Sequence, residues 1–366
     1  MKVLFISRAT LYSNSGGDTI QINNTAEELK KLGVHVEIRL ANEQIDYSKF
    51  DLIHFFNIIR PADILYHIDK SHKPYVVSTI FVDYYEYERK SSSGIRKFIS
   101  GILSPDGIEY LKVITRYIIN NEKIVSLYYI LNGHRKSVKK VIAGAKILLP
   151  NSENEYRRLA DRYEINQKYK IIPNGIDGNL FSHTEDVSTH RQNDLIICVA
   201  RIEPLKNQLN LIKALNNTNY RLLIIGKPST NQIKYYLKCK QQACTNIFFI
   251  DHIPQQDLIK YYRQAKVHVL PSWFETTGLS SLEAAAMGCN IVITDKGDTT
   301  EYFKDYAYYC QAQSPESILN AVEKAACAKI NKELESLVKN NYTWKIAGKK
   351  TLESYKEVLN QSEKNV

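Results

Sequence analysis

The sequence predicts an α/β protein built from two parallel-sheet domains. Short apolar runs alternate with helix-period segments along the chain, the pattern of parallel strands buried on both faces. The alternation starts afresh after a polar stretch at 182–194. A length of 366 residues also exceeds what one ordinary domain holds.

In order, Val3-Leu4-Phe5-Ile6 reads as a buried strand. A polar loop closes in Gly16-Gly17, and Asp18 with Gln21 three residues on fits a capping box. The helix runs through Ala26, Leu29 and Leu32 and stops at Gly33. Further strands are expected at 34–38, 52–56 and 75–80, and the section 91–146 reads as helical and basic. Strand character returns at 145–150, Ser152 caps a helix through Tyr163, and 170–177 reads as a strand running into a turn. The second half repeats the pattern, with strands at 195–200, 221–226, 247–250, 267–271 and 290–294. A last helix, from Thr343 to about Leu359, has no strand after it. The expected domains are 1–180, carrying the basic helical segment 90–146, and 191–342, with 343–366 a helix crossing back toward the first. Two such sheets facing one another make a central cleft, the usual ligand seat of open α/β sheets.

Composition narrows the class. At 44% hydrophobic and 24% charged the chain is globular, and no apolar stretch is long enough to span a bilayer. Arg8 cuts the first apolar run short of a signal peptide. The six cysteines, Cys198, Cys239, Cys244, Cys289, Cys310 and Cys327, form no C-x-x-C pair, which excludes a zinc knuckle and argues against a disulfide framework. A reduced, cytoplasmic protein is expected. The net charge of +10 is concentrated: 90–146 holds eleven Lys/Arg against three Asp/Glu. Apolar residues such as Ile102, Ile118, Leu127 and Leu131 lie among those cations, which fits an interfacial segment on an anionic membrane. A core-packing helix pair with a solvated basic face fits the same residues. No recognition motif supports nucleic-acid binding.

The residues with chemistry lie past strand ends. Phe274-Glu275-Thr276-Thr277-Gly278-Leu279 follows a strand and opens a helix carrying Glu283. A helix start presents free N–H groups and a positive dipole end, a seat for phosphate. Two carboxylates beside that seat can accept hydrogen bonds from sugar hydroxyls. Arg201 and Lys206 lie on the loop after an earlier strand, and a guanidinium fork and an ammonium suit a diphosphate. The blander readings are solvated helix-end acids for Glu275 and Glu283, an ion pair with Glu203 for Arg201, and a tight turn for Gly16-Gly17. Asp177 reads equally as a turn former, and His54, His252 and His268 as ordinary structural histidines.

In these motifs the chain resembles the family-four retaining glycosyltransferases of the GT-B fold, over most of its length. The resemblance rests on Gly16-Gly17, on Pro173-Asn174-Gly175-Ile176-Asp177, on Arg201 with Lys206, and on Glu275 and Glu283 eight residues apart. It implies two Rossmann-like domains and transfer of a sugar from a UDP- or GDP-sugar to a glycan or lipid-linked acceptor, as in surface polysaccharide or glycolipid synthesis. It implies that Arg201 and Lys206 hold the donor diphosphate, that Glu283 takes the ribose and that Glu275 contacts the transferred sugar. Gly278 and Leu279 would meet phosphate or sugar through their backbone. Gly16 and Gly17 would approach the donor from the other domain, and Ile253 would pack on the base. No metal or other cofactor is implied, and the enzyme would work in the cytoplasm or at the inner face of the cell membrane. One departure stands out. Many family members carry Thr-x-His after the strand read at 75–80, and here Thr79-Ile80-Phe81 occupies that place. Asp83 is the substitute candidate. A non-catalytic nucleotide-sugar-binding subunit and a sugar-nucleotide epimerase on the same fold are the competing readings.

Overall fold

The computed structural model describes residues 1–82, 104–120, 126–182 and 191–363. The chain divides into two compact units, Met1–Pro173 with Ala347–Val366, and Asn174–Ile346. Each is a Rossmann-like parallel sheet with helices between its strands.

The first unit contains β1 (Lys2–Ser7), α1 (Gly17–Lys31), β2 (His35–Leu40), β3 (Leu52–Phe56), α2 (Pro61–Ser71) and β4 (Tyr75–Ser78). It continues with α3 (Pro105–Asn120), α4 (Leu127–Gly144), β5 (Ile147–Leu148) and α5 (Glu153–Tyr163). Its five strands run β2-β1-β3-β4-β5 and every pairing is parallel. Helices on both faces explain why β1 and β3 are almost wholly apolar: Val3 to Ile6 and Leu52 to Phe56 are all buried. Ser152 caps α5 as expected, its Oγ accepting from Glu155 N at 2.9 Å.

The second unit contains β6 (Gln192–Val199), α6 (Gln208–Leu215), β7 (Arg221–Ile225), α7 (Ile233–Gln242), β8 (Ile247–Ile250) and α8 (Gln255–Gln264). It continues with β9 (Ala265–Leu270), α9 (Leu279–Ala286), β10 (Asn290–Thr294), α10 (Thr299–Phe303), β11 (Tyr308–Cys310), α11 (Pro315–Cys327) and α12 (Lys332–Asn341). The strand order is β11-β10-β9-β6-β7-β8, again all parallel. The order reverses between β9 and β6, so the loops leaving these neighbours head to opposite faces and leave a crevice beyond their carboxyl ends.

The last helix, α13 (Trp344–Glu363), starts in the second unit, and from Ala347 its residues pack with the first. There Tyr355 is fully buried, and Lys168 and Lys170 pair with Glu357 at 2.5 Å and Glu353 at 2.8 Å. No helix among the described residues is long and apolar enough to cross a membrane.

Three local expectations are corrected, and one strand was not anticipated. Helix α1 is capped at Gly16, whose N–H donates to Thr19 Oγ1 at 3.1 Å, so Asp18 and Gln21 form no capping box. Asp18 pairs instead with Arg8, and Gln21 Nε2 donates to Asn151 at 2.9 Å. Strand β4 ends at Ser78 because Ile80 takes φ +43°, a left-handed value a β-branched residue rarely adopts. Residues 170–173 make no strand, although Tyr169 bridges Leu148. The short edge strand β11 was not legible as an apolar run.

Candidate functional site

In the second unit every candidate lies past the carboxyl end of a strand, and in a parallel sheet those ends share one edge. Arg201, Glu203 and Lys206 follow β6, Ser229 follows β7 and Gln255 follows β8. Glu275 follows β9, and Gly297 follows β10. The loops after β6 and β9 flank the reversal in strand order.

Two ties join those loops. Trp273 N donates to Leu205 O at 2.9 Å, and Asn207 Nδ2 donates to Pro271 O at 2.9 Å. Asn207 can do this because it turns the chain at φ +60°, a left-handed conformation that Asn tolerates better than most residues. The turn Pro204–Lys206 just before it sets the Lys206 ammonium 2.6 Å from Glu275 Oε1. Ser272 Oγ donates to the same oxygen at 2.6 Å. Glu275 is 6% exposed. Its backbone is clipped to the loop after β10: its N–H donates to Lys296 O at 3.2 Å, and Asp298 N donates to its carbonyl at 2.9 Å. Gly297 lies between, at φ +95°, so close that a Cβ there would stand 2.0 Å from the Glu275 carbonyl oxygen. Only glycine permits both the conformation and the approach.

Gly278 caps α9 at φ +73°, with Ser281 N and Leu282 N donating back to its carbonyl. The first N–H groups of α9, those of Leu279 and Ser280, have no acceptor within the helix and carry its positive end. Thr277, one residue earlier, accepts from Asn174 Nδ2 at 3.1 Å, and Asn174 N donates to Tyr302 OH at 3.1 Å. Gly175 lies against the Thr343 backbone. Asp177 serves as a turn former, its Oδ1 accepting from Asn179 N at 2.9 Å. The Pro173–Asp177 motif therefore braces the start of α9.

Arg201 takes the partner that the blander reading gave it. Its Nη2 donates to Glu203 Oε1 at 3.0 Å, and Ser229 Oγ donates to Glu203 Oε2 at 2.6 Å. Glu283, in α9, belongs to another cluster: its Oε1 accepts from Gln255 Nε2 at 2.5 Å and its Oε2 from Tyr262 OH at 3.0 Å. Burial pushes its carboxyl up to about 7, against the lowering effect of those two hydrogen bonds. The structure thus joins Lys206 to Glu275, Arg201 to Glu203, and Glu283 to Gln255 and Tyr262. Ile253, between β8 and α8, is half-buried against the apolar core of this unit.

In the first unit Gly16 is extended, at φ −151°, and its loop is organised by a residue that sequence reasoning passed over. Arg8 Nε donates to Asp18 at 2.6 Å, Nη1 to Thr10 O at 2.8 Å, and Nη2 to Asn14 O at 2.8 Å. An arginine directly after a buried strand was the available signal. Gly17 is the first residue of α1. Phe81 is buried, and its N–H donates to Glu155 Oε1 at 2.8 Å, while Thr79 Oγ1 donates to the same oxygen. Asp83 lies outside the described residues. His54 is a satisfied core histidine: Nδ1 meets Tyr355 OH at 2.5 Å and Nε2 meets Ser78 Oγ at 2.8 Å. His268 is likewise buried, with Nδ1 3.2 Å from Ser281 Oγ.

The comparisons with known proteins follow this division. The family model for glycosyl transferases group 1 matches residues 182–344. The chain is 26% identical over 186 residues to a D-inositol 3-phosphate glycosyltransferase of Acidothermus cellulolyticus, covering 45% of this chain and 42% of that protein. The corresponding protein of Kribbella flavida is 28% identical over 188 residues, covering 46% and 44%. The chain thus spans less than half the length of these curated relatives. Among solved structures it is similar to sucrose-phosphate synthase from Thermosynechococcus elongatus, with TM-score 0.75 and 15% identity over 99% of this chain and all of that one. It is also similar to Anabaena HepE in complex with UDP and glucose, with TM-score 0.68 and 15% identity over 98% of this chain and all of that one. The whole chain therefore shares the fold of these GT-B structures, two Rossmann-like parallel-sheet domains, and its residues 182–344 match the model for glycosyl transferases group 1.

Proposed function

We propose that the protein is a retaining glycosyltransferase that moves a sugar from a UDP- or GDP-sugar to a glycan or lipid-linked acceptor. The observation that carries this reading is the Lys206–Glu275 pair at the reversal in strand order, beside the start of α9. An ammonium and a helix's leading N–H groups offer positive charge to a diphosphate, while the carboxylate beside them accepts from a sugar hydroxyl. Arg201 adds a fork on the same loop, and Glu283 accepts from the ribose hydroxyls.

The residues act mainly by electrostatics. The bond from the anomeric carbon to the diphosphate oxygen breaks, and Lys206, Arg201 and the α9 dipole stabilise the charge that builds on the leaving group. The acceptor hydroxyl forms its new bond on the face just vacated, and its proton passes to the departing phosphate. Configuration is retained. In this reading fixed cations take the part a divalent metal plays elsewhere, and the reaction needs no other cofactor.

The acceptor is read as part of a surface polysaccharide or glycolipid, handled in the cytoplasm at an anionic membrane surface. Support comes from α4, where Leu127 and Leu131 are 77% and 81% exposed. Its cations Arg135 and Lys139 are engaged with Glu164, however, so the apolar residues rather than the charges favour the membrane. A non-catalytic nucleotide-sugar-binding subunit is favoured by one observation: a buried Phe81, tied by its backbone to Glu155, stands where many members of the resembled family carry histidine.

The test is a transfer assay with a panel of UDP- and GDP-sugars, with the anomeric configuration of the product read by NMR. Transfer with retention is expected. Nucleotide binding without turnover on any donor or acceptor would select the subunit reading, and no nucleotide binding at all would defeat both.

A further inference from the structure

Gln255 is exposed, uncharged and first in α8, yet it reaches a carboxylate that is 8% exposed on another helix. Burying Glu283 beside apolar neighbours without compensation strongly disfavours its ionised state. Among the described residues two donors offset that cost, and they take one oxygen each. Tyr262 reaches from the third turn of α8 and is completely buried, so it is fixed by packing. Gln255 is the adjustable donor on the solvent side. Each carboxylate oxygen accepts two hydrogen bonds, so one acceptor position per oxygen is left for a ligand.

We infer that Gln255 is a positioning residue that keeps Glu283 ionised and oriented, so that its carboxylate is ready to accept the two ribose hydroxyls of a nucleoside diphosphate. The assignment rests on the ribose-binding role given to Glu283 above. A neutral acid would offer one donor and one weak acceptor to a pair of hydroxyls; the anion offers two strong acceptors.

Other charged groups do not supply this control. Of the elements packed against α9, β10 carries no titratable residue, and on β9 Lys266 lies beside Arg191 while His268 addresses Ser281. On α12, Glu335 is paired with Lys332 and Lys339. Within α8, Tyr262 alone joins Gln255 at the carboxylate.

The experiment measures UDP and GDP affinity by calorimetry from pH 5.5 to 9 in the full chain, for wild type, Gln255→Ala and Gln255→Lys. In parallel, the carbonyl stretch of protonated Glu283 is followed by infrared difference spectroscopy without ligand, with Glu283→Gln as the blank. With Glu283 ionising near 7, wild-type affinity should rise through neutrality. Loss of one charge-assisted hydrogen bond should move the Gln255→Ala midpoint up by roughly one pH unit. The ionised fraction at pH 7 then falls from about one half to about one eleventh, roughly fivefold weaker binding, with recovery at pH 9. Gln255→Lys should move the midpoint down. A packing role alone would shift neither midpoint and would not recover with pH. Unchanged midpoints in both variants, or tighter binding in Gln255→Ala, would overturn the assignment, the latter by making Gln255 a cover over the site. Absence of nucleotide binding in wild type would defeat the functional reading, while the infrared titration still decides whether Gln255 controls the charge.

Discussion

Lys206 Nζ and Glu275 Oε1 stand 2.6 Å apart, on loops that leave β6 and β9 at the one place where the second sheet reverses its strand order. Neither residue would reach the other without Asn207 turning at φ +60° and Trp273 bonding back to Leu205.

Removing the ammonium should therefore hit chemistry harder than folding. Lys206→Ala is expected to lower turnover on the order of a hundredfold or more, the scale of losing one donor to transition-state charge. Arg201→Ala should act similarly, since Glu203 holds the guanidinium on that loop. Steady-state transfer rates check this, and a near-normal rate in either variant removes that residue from the diphosphate role.

Gly297 offers a cleaner separation of geometry from charge. Gly297→Ala removes no functional group but puts a methyl 2.0 Å from the Glu275 carbonyl oxygen. The Glu275 loop must shift by more than an ångström, which at a reacting centre costs about a hundredfold. Turnover should collapse while Tm falls by only a few degrees. Equal losses in a distant control such as Gly33→Ala, also at positive φ, would show that the effect is general strain.

Glu283 should show function opposed to stability. Its carboxyl is raised to about 7 in the fold, so between its ordinary range and 7 the folded state binds the proton more tightly than the unfolded chain. Stability then falls as pH rises through that window, by about 3 kcal/mol at most. Glu283→Gln removes the penalty, and Gln255 can turn its amide to present oxygen. The variant should be more stable than wild type at pH 8, about equal at pH 5, and defective in nucleotide binding. Denaturant midpoints at the two pH values decide it.

The histidines act in the other direction. Burial pushes His54 and His268 down to about 3 and His67 to about 4. Their neutral forms belong to the fold, so stability present above pH 6.5 is lost as the unfolded chain takes up protons below it. About 2 kcal/mol apiece should vanish between pH 6.5 and 5. Tyr355→Phe strands His54 Nδ1 and should cost a further 1–3 kcal/mol or so at neutral pH. Urea midpoints that stay level between pH 7 and 5 would contradict this.

The strands were legible because parallel strands covered on both faces must be apolar throughout, as Leu52 to Phe56 and Ile291 to Ile293 are. Their ends were less so. Nothing in Thr79-Ile80-Phe81 announces a left-handed isoleucine, since the cause is Glu155 gripping both neighbours from α5. Glu275, Glu283, Arg201 and Lys206 were found because charged residues just past strand ends are conspicuous. Their pairing was not, because Lys206 to Glu275 spans 69 positions and Gln255 to Glu283 spans 28. Arg8 was missed for a different reason: it looked like the end of an apolar run and is the hub of the first loop.

The chain leaves the first unit at Pro173 and rejoins it only at Ala347. During synthesis the second unit emerges whole, and can collapse, before the ribosome delivers Tyr355 to its socket beside His54. The half of the molecule that is made first is thus the last to be sealed.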